Sequence, residues 1–264
     1  MESGLQISAP PQPVQQALVM LYNLHKEQDF LATALSFYLG GPVCMTDCGR
    51  CCHQSFPIPR FSGLYIAVAI NTFPKDDRKY IVEQLEKWLL YELPDVRFRF
   101  SSDGQEEEQT RLNEYRTAHR LSCPFLAPDM KCLIYPWRDP VCRAYAVTRP
   151  APKCPRPFYK GESEGDRRFI SAKASLEAQR EALVNHLKEH APDWLTEYWM
   201  PSIIYAFLEP ERWKTLSKRV QQAKYAGYHT DHPWLITAED VRDNSFTDVA
   251  KAFELEPEFS PISS

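Results

Sequence analysis

The stretch CMTDCGRCCHQ, residues 44–54, sets Cys44, Cys48, Cys51 and Cys52 within nine positions, with His53 directly behind. Cys123, Cys132, Cys142 and Cys154 are spread over 32 residues, and the two groups hold all eight cysteines of the chain. A C-x2-C pair such as Cys48 and Cys51 lets two thiolates meet one ion from a single turn. Gly49 inside that turn permits the positive φ that such turns often need. Four thiolates satisfy tetrahedral zinc or an iron–sulfur cluster. Two ligands from each group would join segments about 70 residues apart, and such closure stabilises a region poor in regular structure. Adjacent Cys51 and Cys52 project differently, so they could serve two ions, or one ion and a reactive thiol.

Charge around the second group suits this chemistry. Between residues 131 and 160 stand Lys131, Arg138, Arg143, Arg149, Lys153, Arg156 and Lys160, against the single acid Asp139. Nearby cations offset the negative charge of a four-thiolate centre and favour thiolate over thiol. Arg138 and Arg143 could hydrogen-bond thiolate or cluster sulfur, a role that tunes potential and affinity. The plainer alternatives are a solvated basic face and a structural ion pair of these arginines with Asp139. Tyr135 is equally readable as packing.

Other uses of crowded thiols fit less well. Cys48-Gly-Arg-Cys51 has the C-G-x-C form of a thioredoxin-like redox pair, which needs a βαβ context that a helix and then a loop do not supply. Cys44-x3-Cys48-x2-Cys51 has the spacing of radical-SAM cluster motifs. Here, however, Arg50 stands where an aromatic precedes the last cysteine, and no β/α alternation comes after it. A nucleophilic cysteine needs a positioned histidine, and nothing in the sequence pairs His53 or His119 with a thiol, although His53 could be an auxiliary ligand. A bridge between adjacent Cys51 and Cys52 would be strained.

The elements that must hold these thiols are helical. Val14, Leu18, Leu21, Leu24, Leu31, Leu35 and Tyr38 recur at helical spacing, and Gly40-Gly41-Pro42 ends that helix just before the first cysteines. The stretch FSGLYIAVAINTF suggests a short apolar helix capped by Ser62, although its β-branched residues also allow a strand. PKDDRKYIVEQLEKWLLYEL is amphipathic, with Pro74 and two aspartates at its start. A solvated loop at 101–108 leads into another helix, EEEQTRLNEYRTAHRL. From Cys123 to Val147 the prolines and short apolar pieces suggest turns and two very short strands. Residues 148–166 form a proline-rich connector. The C-terminal third suggests three helices, with Pro192 and Pro210 at the handovers.

The predicted fold is therefore mostly α: a helical domain with an irregular cysteine-rich metal-binding region built from two distant segments. Residues 1–13 form a disordered tail, 14–160 the cysteine-cluster domain, and 161–264 a helical region packing on it.

The two cysteine groups together resemble the YkgJ-like, or CxxCxxCC, family, whose members are described as zinc- or iron-chelating proteins and sometimes as iron–sulfur oxidoreductases. The family's first motif, C-x2-C-x2-C-C, corresponds here to Cys44-x3-Cys48-x2-Cys51-Cys52, one residue longer at its first gap. The second motif, C-P-[FL]-L and then C-x-I-Y-x-x-R-P-x-x-C-R-x-[FY], is matched by Cys123-Pro124-Phe125-Leu126 and by the run from Cys132 to Tyr145. That run keeps Ile134, Tyr135, Arg138, Cys142 and Arg143, with Asp139 in place of the proline and Pro140 one step later. The resemblance covers residues 44–154. It implies Cys48, Cys51, Cys52, Cys123, Cys132 and Cys142 as metal ligands, with Cys44 and Cys154 completing a set of eight around an iron–sulfur cluster or zinc. Flagellin lysine methylases carry a related cysteine pattern. None of these likenesses implies a substrate.

Composition limits the alternatives. The net charge of −4 makes no case for nucleic-acid binding, and 44% apolar with 25% charged residues suits a globular chain. No apolar run reaches the roughly 18 residues of a spanning helix, so no membrane segment is expected. The N-terminus lacks a basic stretch leading into an apolar one, so no secretory signal is expected, which points to the cytoplasm. Structural disulfides are rare there, and clustered cysteines more often bind metal or do redox chemistry. No G-x-G-x-x-G phosphate loop is present. Two function classes remain: an iron–sulfur protein with redox or group-transfer activity, and a zinc-stapled helical interaction or scaffold protein without catalysis. The aromatic stretch DWLTEYWMPSIIYAFLEPERW could line a cleft or contact a partner, although its helical spacing also suits a core.

Overall fold

Proline marks several of the element boundaries in this chain. The structure is a computed structural model describing residues 10–39, 52, 57–92, 122–129, 131–140, 142 and 164–222. Helices make up 77% of the interpretable part, in six segments, so the described fold is mostly α. Residues 1–9 of the tail expected over 1–13, the helix after residue 105 and nearly all of the proline-rich connector lie outside the described residues, while Gln12 and Pro13 already belong to the first helix.

The chain divides into two compact units. One comprises Met1–Pro11, Cys52–Phe125 and Thr196–Ser264; the other comprises Gln12–Cys51 and Leu126–Leu195.

In the second of these, α1 (Gln12–Leu39) lies against the helix Glu164–His190, named α4 by its place in the chain. Val14, Ala17, Leu18, Leu21, Leu24 and Leu31 form the buried stripe of α1, the i, i+3, i+4 pattern legible in the sequence. Leu176, Leu183 and Leu187 face it from α4. The helices run antiparallel: His186 Nε2 donates to the Pro13 carbonyl at 3.0 Å, while Gln179 reaches Glu27 further along. α4 begins at Glu164, three residues inside the expected connector. It hands over at Pro192 to a 3-10 turn, Pro192–Leu195, that buries Trp194.

The other unit is built on a strand pair that no sequence pattern announces. β1 (Pro57–Pro59) and β2 (Glu197–Trp199) pair antiparallel, with Ile58 opposite Tyr198. Each strand has only three residues, and they form a two-stranded sheet. Pro57 and Pro59 donate nothing to such a ladder, a loss that a two-stranded sheet tolerates at its edges. The Arg60 N–H continues the link, donating to the Thr196 carbonyl at 2.9 Å.

Each strand runs directly into a buried helix: β1 into α2 (Arg60–Asn71) and β2 into α5 (Met200–Leu208). Phe61 through Ile70 are all buried in α2, and every residue of α5 is buried. The strand alternative for residues 61–73 is thus overturned, because a helix buried all round shows no amphipathic signature and tolerates its β-branched residues through packing. Ser62 is not the cap. It lies inside the helix at 1% exposure, and Pro59 holds the N-cap position without a side-chain hydrogen bond.

α3 (Lys75–Lys87) starts after Pro74 with Asp76 and Asp77 in its first turn, as expected, and widens into a π-turn at Trp88–Glu92 that buries Trp88 and Leu89. α6 (Pro210–Gln222) opens on Pro210, whose missing N–H costs nothing at a first helical position. Trp199, Tyr205, Phe207 and Trp213 are core side chains here, so the C-terminal aromatic stretch is used for packing. No helix among the described residues is long and apolar enough to cross a membrane.

Candidate metal centre

Four of the eight candidate thiols fall among the described residues. Cys44, Cys48, Cys51, Cys154 and Arg143 lie outside them, as do His53 and His119. Cys52, Cys123, Cys132 and Cys142 are each partly exposed thiols, and none is in a disulfide.

Cys52 and Cys123 belong to one unit and meet at the backbone. The Cys123 N–H donates to the Cys52 carbonyl across 71 positions of sequence (123 − 52). Behind Cys123, Pro124 and Phe125 are buried, Phe125 completely. Beyond Cys52 the chain enters β1, where Ile58 is fully buried. One member of the first cysteine group, Cys52, and one of the second, Cys123, thus meet at the backbone.

Cys132 and Cys142 belong to the other unit. Cys132 pairs with Leu126 in an isolated antiparallel bridge, and the Ala127 N–H donates to the Lys131 carbonyl at 2.8 Å. Asp129 closes the turn between them. Its carboxylate accepts from the Lys131 N–H at 3.2 Å and lies 3.3 Å from Lys131 Nζ. The Lys131 backbone N–H, reinforced by the ammonium group, holds the Asp129 carboxyl below its usual pKa. One of the basic residues read as offsetting thiolate charge thus has a carboxylate partner of its own. The Asp-x-Lys spacing, with an aspartate two residues before the N–H it accepts, was the available signal for this turn.

The segment then folds back through short-range bonds. Tyr135 N–H donates to the Cys132 carbonyl at 3.1 Å and Trp137 N–H to that of Ile134 at 2.8 Å, forming the 3-10 turn Tyr135–Trp137. Ile134 anchors the turn at 2% exposure. Arg138 Nε donates to the Tyr135 carbonyl at 3.1 Å, and its guanidinium lies 3.8 Å above the Tyr135 ring. Tyr135 is therefore a platform for Arg138. Asp139 is buried at 2% exposure, and Pro140 and Cys142 take helical backbone. Of the two short strands expected in this region, the described residues contain the single bridge.

No family model, curated protein or solved structure matches this chain.

Among the described residues, no group of three or more His, Cys, Asp or Glu side chains could hold a metal ion. The fit of zinc or an iron–sulfur cluster rests on donor chemistry. Thiolate sulfur is the soft ligand both prefer, and Cys52 and Cys123, brought together at the backbone, are two such donors. A tetrahedral centre needs four. Once bound, zinc would supply a structural cross-link, and a cluster would supply electron transfer.

Proposed function

We propose that this chain is a metal-binding protein that holds an iron–sulfur cluster or zinc through clustered cysteine thiolates, as the YkgJ-like resemblance implies. The proposed ligands come from Cys44, Cys48, Cys51, Cys52, Cys123, Cys132, Cys142 and Cys154, with Arg138 and Arg143 as candidate hydrogen-bond donors to sulfur. The observation that carries the reading is the backbone hydrogen bond from Cys123 to Cys52. It brings a member of each cysteine group together across 71 positions, neither one disulfide-bonded. A cross-link between remote, irregular segments is what a thiolate centre provides where regular structure is scarce.

Anaerobic purification, then metal analysis, acid-labile sulfide and a visible spectrum, tests the proposal. Iron with sulfide and broad visible absorption assigns a cluster, and with it redox or group-transfer chemistry. Zinc in a colourless protein assigns a structural staple. A folded chain containing neither metal, and binding neither after reconstitution, overturns the proposal.

A further inference from the structure

We propose that Cys52 and Cys123 form a reversible intrachain disulfide whose closure withdraws two thiolates from the proposed metal centre. The consequence for metal rests on the metal-thiolate reading; the bridge itself does not.

One contact sets the geometry. The Cys123 nitrogen lies 2.5 Å from the Cys52 carbonyl oxygen. Adding the covalent spans from that oxygen to its own Cα, and from the nitrogen to its Cα, limits the Cα–Cα separation to about 6.4 Å. Disulfides form at Cα separations of roughly 4.4–6.8 Å, so the two backbones stand within bridging range. Pro124 and Phe125, directly after Cys123, are buried and anchor that side of the contact. Both thiols are partly exposed, so a small-molecule oxidant can reach them. The bridge would also link the two cysteine groups, the same connection that the proposed metal would make.

The reaction needs a low-molecular-weight disulfide of the oxidised-glutathione class. One protein thiolate attacks that disulfide, breaking its S–S bond, releasing one small thiol and leaving a mixed disulfide. The second protein thiolate then attacks the protein-side sulfur, forming the Cys52–Cys123 bond and expelling the other small thiol. Two electrons and two protons leave the protein thiols and end on two small-molecule thiols, and excess dithiol reductant reverses the exchange. Thiolates engaged by a metal are poorer nucleophiles, so loading should protect the pair.

The test uses the full chain, reduced and kept from oxygen, in a chelator-stripped portion and a zinc-reconstituted portion. Each is titrated with oxidised glutathione, quenched by alkylation and mapped by peptide mass spectrometry, while a chromophoric indicator tracks free zinc. In the stripped portion the first intrachain bridge should join Cys52 to Cys123, and dithiothreitol should restore all eight alkylatable thiols. In the zinc portion that bridge should form at least about tenfold more slowly, with zinc released as it forms. A first bridge joining any other cysteines overturns the pair assignment. A Cys52–Cys123 bridge that accumulates while zinc stays fully bound overturns the switch. A reduced chain that takes up neither zinc nor iron brings down the metal reading and the switch with it, while the stripped portion scores the bridge separately. Cys52→Ser and Cys123→Ser, each checked for helical content by circular dichroism, should both abolish the mapped bridge.

Discussion

Cys52 and Cys123 meet through a backbone hydrogen bond, which a change of either side chain leaves in place. Either can therefore be changed with little effect on the core. Cys52→Ser and Cys123→Ser should each weaken zinc binding by more than about tenfold, read by competition with a chromophoric chelator, with far-UV ellipticity retained. At the same scale lies a partly buried polar network that no motif in the sequence marks. The fully buried Tyr205 donates its O–H to Glu86 Oε1, which Arg212 Nη2 also approaches at 2.6 Å. Burial, and then the Glu86 carboxylate, push the Tyr205 hydroxyl well above its usual pKa. The folded state thus keeps that proton at a pH where the unfolded chain has lost it. Stability from this group is fully present below the unfolded value of about 10 and falls as pH rises beyond it. Denaturant unfolding from about pH 8 to 11 should show that decline. Tyr205→Phe should remove this group's share of the decline and cost about 1–2 kcal/mol at neutral pH, since Glu86 keeps Arg212.

Between elements, α2 and α5 approach closely. A Cβ added at Gly63 would stand 2.7 Å from Ile203 Cγ1 and 2.8 Å from Cγ2, so glycine there is a packing requirement. Gly63→Ala should destabilise by about 1–3 kcal/mol in denaturant unfolding, and adding Ile203→Val should recover part of that loss. A cost equal in both backgrounds would show that the contact is not the cause. Arg78 closes the far end of α5, donating to the Leu208 carbonyl at 3.2 Å and pairing with Glu209 at 3.0 Å. Over a third of its side chain is exposed, so Glu209→Gln should cost no more than about 1 kcal/mol, reduced further by salt. Elements whose signals are local were legible in the sequence: the stripe of α1, the aspartates opening α3 and the prolines at 192 and 210. α2 was ambiguous because complete burial removes the polar face that distinguishes a helix from a strand. The β1–β2 pair was invisible, because three residues carry no periodicity and Ile58 and Tyr198 stand 140 positions apart (198 − 58).

At the scale of the whole molecule, no cysteine among the described residues is buried in the helical cores. The α1–α4 core is built on leucines, and the core around α2 and α5 on aromatics and isoleucines. Removal of the proposed metal should therefore leave most of the helical circular dichroism intact while loosening the cysteine segments. Hydrogen exchange with and without chelator checks this: amides between Cys123 and Cys142 should lose protection, whereas those of α2 and α5 should not. Loss of protection throughout would instead make the metal a condition of folding.

By itself the sequence determined the helical class and most of the described helix positions, since residue type and short-range spacing encode both. Only the tertiary structure decided that Cys52 meets Cys123, that Arg138 lies over Tyr135, that Lys131 is paired with Asp129 and that the C-terminal aromatics are core. Long-range meetings depend on which apolar surfaces are buried together, a collective outcome that no local pattern records. Even contacts three residues apart depend on turns whose backbone angles are set by what packs beneath them.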